Sequence, residues 1–133
     1  RVAFLFVRVG LSGADMGAAW LLPRVVGMGR ASAILLLGDP VLAEEALRIG
    51  LVNRLVPEEE LAAEAAAWAR RLADGPEAGV RETKRLLQAE LEMAFDAALE
   101  AEAEGPAVLL GGAEHREYHR AFNEKRKPVY RKD

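Results

Sequence analysis

VAFLFVRVGLSGADMG, residues 2–17, holds the one change of pattern along this chain. Val2 to Val9 is short, β-branched and aromatic with a single charge, the composition of a strand buried on both faces. Three glycines, a serine and a carboxylate follow, and the run from Met16 to Leu22 is apolar again. Everything downstream has helical spacing cut by glycine and proline. The expected helices are Met16 to Leu22, Gly29 to Leu37, Ala43 to Ile49, Pro57 to Ala73, Gly79 to Glu92, Met93 to Leu110 and Ala113 to Lys125. In the fourth, Leu61, Ala65, Trp68 and Leu72 share one face. Pro57 followed by three glutamates suits a helix N-terminus, where proline costs least and the dipole favours acids. Gly105-Pro106 predicts a break or kink in the sixth.

One strand and about seven helices is a lopsided inventory. A single buried strand must pair its backbone groups, and no second strand is legible here. Either the strand pairs with another chain or the rest of a sheet lies upstream, and the second is the expectation. An opening on Arg1 in mid-run, without Met, agrees with that expectation.

At 133 residues the chain is about one domain long, and its net charge of −3 gives no electrostatic reason to expect nucleic acid or an anionic membrane as partner. There is no cysteine, which excludes disulfides and thiolate zinc sites and fits a reducing, cytoplasmic setting. Ala31 to Leu37, among the longest apolar stretches, falls far short of the ~20 residues that span a bilayer. No leader pattern with a cleavage site follows Arg1.

Asp15 is the candidate for chemistry. At a joint between a strand and a helix it suits an N-cap, its side chain accepting a first-turn N–H. Flanked by apolar segments, it also suits proton transfer. Leu11 and Ser12 on the same turn are candidate substrate-binding residues. G-L-S-G lacks the spacing of a hydrolase nucleophile elbow, and no Gly-Lys-Ser/Thr follows to make a phosphate loop. Gly10, Gly13 and Gly17 fit close approach of the backbone to a ligand or another chain. His115 and His119 lie four apart on one helix face, a spacing that can hold a metal, but Arg116 stands where a zinc protease has its acid. A solvated helix face explains them better, so no metal is expected. The basic end, Lys125, Arg126 and Lys127, fits either a solvated helix C-terminus or a docking site for phosphate.

Three segments carry a family resemblance. GDPVLAEEALRIGLVNRLVP at 38–57 resembles the G-x-x-x-x-A-x-E-A-x-x-x-G-L-V-x-x-V-V-P segment of the crotonases, the enoyl-CoA hydratases and isomerases. LLPRVVGMGRA at 21–31 and AFNEKRKPVY at 121–130 resemble the flanking L-P-R-x-x-G-x-x-x-A and F-x-E-K-R-x-P runs, in the right order. The middle motif is the specific one. The resemblance implies the C-terminal half of an α/β fold, a β–β–α spiral, with residues 1–56 ending the spiral core at the active-site turn and residues 57–133 forming a helical trimerisation region. It implies a lyase or isomerase of fatty acid metabolism with an acyl-CoA substrate, no cofactor beyond that thioester, and a trimer or hexamer. The backbone N–H groups of the oxyanion hole would lie in the upstream half, which leaves this half alone inactive.

A hydratase glutamate of the family falls at Phe6 here, whereas Asp15 is in register with the aspartate of the dienoyl-CoA isomerase branch. That branch also has a glutamate at the Phe6 position, so the match is partial. By the same resemblance Phe122 stacks on the CoA adenine and Lys125 meets a phosphate, or else Phe122 simply packs on Tyr118 one turn earlier. The competing expectation is a non-catalytic helical oligomerisation module, or a pseudoenzyme that has kept the fold.

Overall fold

The structure, a computed structural model, describes residues 1–130. It divides into two compact units, Arg1–Glu58 and the chain from Glu59 on. The first contains a 3-10 turn, Phe6–Val9, and helices α1 (Ala18–Val26), α2 (Met28–Leu37) and α3 (Ala43–Arg48). The second contains α4 (Leu61–Ala73), α5 (Glu77–Ala89), α6 (Phe95–Leu110) and α7 (Ala113–Asn123). The seven α-helices among the described residues, and their mostly helical content, agree with the sequence. Their bounds shift by only a few residues, because a wrong turn of helix would rotate an apolar stripe off its core.

The expected strand over Val2–Val9 does not form among the described residues. Val2 makes one antiparallel bridge with Val41, its N–H donating to the Val41 carbonyl at 3.0 Å and its carbonyl accepting the Val41 N–H at 2.8 Å. Beyond that bridge no neighbouring strand offers a ladder, and backbone groups must pair where they can. The chain coils instead, with Arg8 N–H on the Leu5 carbonyl at 3.0 Å and Leu11 N–H on the Phe6 carbonyl at 2.9 Å.

The core of the first unit is Leu22, Val26, Ala31, Ile34, Leu35, Val41, Ala46 and Ile49, with Phe4, Ala18, Leu51 and Val52 packed against it. Each large aliphatic side chain buried there contributes roughly 1.5–3 kcal/mol. That burial explains why α1 runs past Leu22, where the sequence predicted its end, through Pro23 to Val26. Pro23 costs one backbone bond, but stopping there would leave Val26 outside the core. The Arg24 guanidinium covers the same turn, donating to the Trp20 carbonyl at 2.8 Å and lying 3.8 Å over its ring.

The second unit buries much less: Leu86, Ala121 and Glu117. The amphipathic face of α4 is present, yet Leu61 and Leu72 remain about three-fifths exposed and the helix buries no residue. The expected start of α4 at Pro57 is taken by a 3-10 turn, Glu58–Glu60, and α5 likewise ends in one, Glu90–Glu92. The break expected at Gly105-Pro106 is not there, for α6 is continuous with Pro106 inside it. The reason for the pair lies in packing rather than termination. A Cβ at Gly105 would sit 2.1 Å from Glu82 Oε1 of α5, so glycine leaves the Glu82 carboxylate where it is and any larger residue would have to push it aside. Loss of one i→i−4 bond at Pro106 is outweighed by the bonds on either side. The first turn of α5, which has no side-chain cap of its own, is capped from α7: both Glu114 carboxylate oxygens accept the Ala78 N–H at 3.2 Å.

Candidate active site

The turn over residues 10–17 is built from its own backbone. The Ser12 hydroxyl oxygen accepts the Ala14 N–H at 3.1 Å, closing a local turn. Gly13 presses on α2, and a Cβ there would lie 2.5 Å from the Leu35 carbonyl oxygen. The close approach expected of this glycine is thus to the chain's own helix. Gly10 and Gly17 serve conformation instead, at φ +79° and +81°.

Asp15 leads into two successive left-handed residues, Met16 at φ +49° and Gly17. A non-glycine residue in that region is uncommon and marks a position the surroundings over-determine. The reversal makes Gly17, not Asp15, the N-cap of α1. Asp15 Oδ1 accepts the Met16 N–H at 2.8 Å, one residue short of the helix, while the Asp15 carbonyl takes the Ala18 N–H at 2.8 Å. The carboxylate is consequently exposed, with one oxygen committed to the turn.

Beside this turn lies a cavity of about 410 Å³ walled by Leu11, Ser12, Pro23, Met28, Leu35 and Leu36 among others. It brings Leu11 and Ser12 together. Its wall stops at Ala14, so Asp15 stands next to the cavity rather than in it, and none of its lining residues is acidic. Phe6 is half-buried at the head of the 3-10 turn, where it can move no proton.

Phe122 and Lys125 belong to the second unit, at the end of α7. Phe122 packs on Tyr118, centroids 6.2 Å apart and planes 28° from parallel, and still exposes two-thirds of its surface. Packing and an outward face thus coexist. Lys125 sits at φ +53°, with its N–H on the Phe122 carbonyl at 3.1 Å and the Arg126 N–H on the Ala121 carbonyl at 3.0 Å. Those two bonds are a Schellman ending, with lysine at the position that favours glycine.

Glu117 is the residue that sequence reasoning missed. It is buried, and its carboxylate accepts from Arg126 Nη1 at 2.7 Å, Arg120 Nη2 at 2.6 Å and the Val129 N–H at 3.0 Å. The Arg126 hydrogen bond, then the Val129 N–H, hold the carboxyl down at about 2. Arg126 also donates to Glu124 at 2.5 Å, so this member of the basic end is a tie rather than a phosphate ligand. Arg131 to Asp133 lie outside the described residues. The spacing of three to Arg120 is the one signal the sequence holds for it, and nothing there points to a partner nine residues on. Among the described residues no cluster of three or more His, Asp or Glu side chains could hold a metal ion, and no helix is long and apolar enough to cross a membrane.

The Enoyl-CoA hydratase/isomerase family profile matches residues 2–133. A Mycobacterium tuberculosis (strain H37Rv) protein assigned as an enoyl-CoA hydratase is 42% identical over 126 residues, covering 93% of this chain and 44% of that protein. The 1,2-epoxyphenylacetyl-CoA isomerase of Escherichia coli K12 is 35% identical over 130 residues, covering 98% of this chain and 49% of the enzyme. The crystal structure of a Streptomyces coelicolor A3(2) protein assigned as an enoyl-CoA hydratase superposes with a TM-score of 0.93 at 54% identity, over 97% of this chain and 47% of that one. The chain spans about half the length of the curated relatives it matches. Sequence, helical order and superposition agree that this chain belongs to the enoyl-CoA hydratase/isomerase, or crotonase, family.

Proposed function

We propose that this chain is the part of an acyl-CoA enzyme that supplies a proton-transfer carboxylate, Asp15, to an enoyl or dienoyl thioester. The observation that carries the reading is the turn itself. A left-handed pair behind Asp15 holds its carboxylate outward, beside an apolar cavity that Leu11 and Ser12 help to line. A turn shaped only to start a helix would put Asp15 at the N-cap, and Gly17 is there instead. Proton transfer next to a thioester makes an enolate, which needs preorganised N–H donors. By family resemblance those donors belong to the half of the fold that this chain does not span. Phe6 stands where both the hydratases and the dienoyl-CoA isomerases of the family have a glutamate, so what favours double-bond migration over hydration is the register of Asp15 with the isomerase aspartate. Among the relatives, an isomerase name stands beside the hydratase names. At the end of α7, the outward face of Phe122 would take the CoA adenine and Lys125 a phosphate. The second unit would build the homotrimer, for which exposed Leu61, Phe95, Val108 and Leu110 offer apolar surface.

One observation favours a second reading, a scaffold without catalysis: no acid lines the cavity and Phe6 is inert. Turnover of a 2-enoyl-CoA and of a 3,5-dienoyl-CoA separates the two, measured on the protein carrying this chain together with the other half of the fold. Dienoyl turnover that Asp15→Asn reduces by about 10²–10⁴-fold supports the isomerase. Absence of turnover leaves the scaffold, whereas an Asp15→Asn variant as fast as wild type keeps an enzyme and takes proton transfer away from Asp15.

A further inference from the structure

We infer that His115 and His119 of α7 form a binding site for one divalent transition-metal ion per chain, with water completing its coordination. The rings meet edge to face with centroids 4.5 Å apart and planes at 88°, and the two Nε2 atoms lie 3.1 Å from one another. Neutral imidazoles meet at that separation when one donates its Nε2–H to the Nε2 lone pair of the other. An ion can take the place of that proton. Two metal–nitrogen bonds of ~2.0–2.1 Å drawn to points this far apart subtend about 100°, between the square and tetrahedral angles. The two nitrogens thus already lie within chelating distance of one another, and rotation of the rings about their side-chain bonds brings both lone pairs onto the ion.

The surroundings support the same conclusion. His115 is half-buried in the wall of a cavity of about 540 Å³, and the His119 ring meets the Tyr118 ring edge to face with centroids 5.9 Å apart. His119 is exposed and gives the ion access to solvent. The cations nearest in sequence are held elsewhere, Arg120 on Glu117 at 2.6 Å and the Arg116 guanidinium on the Gly111 carbonyl. With nitrogen donors and no carboxylate in the pair, zinc, copper or nickel fits and calcium or magnesium does not. The site lies on the α7 turn before Phe122 and is independent of the acyl-CoA reading. An i, i+4 chelate clips one turn of α7 and stabilises whatever state contains the turn.

Titration calorimetry with zinc tests this on wild type and on His115→Gln and His119→Gln, with calcium as the contrasting cation. One zinc per chain is expected, reversed by chelator, with either substitution weakening it about a hundredfold because the second arm of the chelate is lost. In the wild-type protein, sub-stoichiometric zinc should move the ring-proton NMR signals of both histidines together, a readout that needs no variant to fold. Zinc affinity surviving either substitution overturns the inference. So does equal binding of calcium, a shift confined to one ring, or a chain that takes up zinc only by pairing with a second copy in sedimentation.

Discussion

Among the described residues two turns hold a non-glycine residue in the left-handed region, and they are held in different ways. At Met16 the support is local: a serine hydroxyl, a carboxylate on its neighbour's N–H, and Gly13 against α2. At Lys125 it is long-range, for Glu117, buried one helix turn and more away, grips Arg126 and the Val129 N–H. The first turn leaves an acid exposed beside a cavity; the second fixes the aromatic and the lysine that end α7. A turn held by its own backbone can be re-aimed by one substitution, whereas a turn held through a buried carboxylate fails only when that carboxylate does. The proposed chemistry sits on the former and the proposed binding residues on the latter.

Substitution at Asp15 should break the comparison most sharply. In the protein with both halves of the fold, Asp15→Asn is expected to cost about 10²–10⁴-fold in kcat while the melting temperature holds, because the amide oxygen can still accept the Met16 N–H. Loss of stability alongside activity would make Asp15 a structural residue.

Removing the other anchor should act the opposite way. Glu117→Ala leaves the Val129 N–H without its acceptor and Arg126 with only Glu124 and the Lys127 carbonyl, and is expected to lower the melting temperature by several degrees and open the chain after Asn123 to protease. The same carboxyl sets an acid limit. Its folded value of about 2 lies below the ordinary 4.5, so its stabilisation is full above the ordinary value and drains away as pH falls between the two. In Glu117→Gln that part of the acid unfolding profile should flatten. An unchanged profile would locate the stability of the α7 ending elsewhere.

Two smaller changes sharpen the contrast. Gly13→Ala forces a Cβ against the Leu35 carbonyl and should cost about 1–3 kcal/mol in denaturant unfolding, since backbone must move. Lys125→Gly relieves a left-handed lysine and should gain about 1 kcal/mol. If Lys125 meets a CoA phosphate, the same variant binds CoA more weakly while unfolding at higher denaturant. Gain of stability with unchanged CoA affinity would confine Lys125 to its helix ending.

The helices were legible because an apolar stripe at 3.6-residue spacing and a glycine stop are local facts: Gly38 ends α2 and Gly111 ends α6 where the sequence places those ends. What failed depended on partners. Val2 to Val9 has the side chains of a buried strand, but side chains report burial and not the neighbouring strand that would complete the ladder. Pro23 and Gly105-Pro106 have the chemistry of helix stops and were overruled by the core under Val26 and by the Glu82 carboxylate against α6. At the site, Leu11, Ser12, Phe122 and Lys125 could be named from motifs. The exposure of Asp15 follows from backbone angles at Met16 and Gly17 that no composition encodes. Glu117 was invisible because its partners arrive only after the chain has turned back.

The cap that Glu114 places on Ala78 ties the beginning of α5 to a residue 36 positions later. While the chain is still collapsing, the first turn of α5 has no acceptor for that amide, so it must fray until α7 docks. Closure of so long a loop precedes the reward, which makes the start of α5 a late event rather than a nucleus. In the finished molecule the dependence runs the other way. Each transient release of α7 uncaps Ala78, and solvent exchange at that single amide keeps time with the opening of a helix two elements downstream.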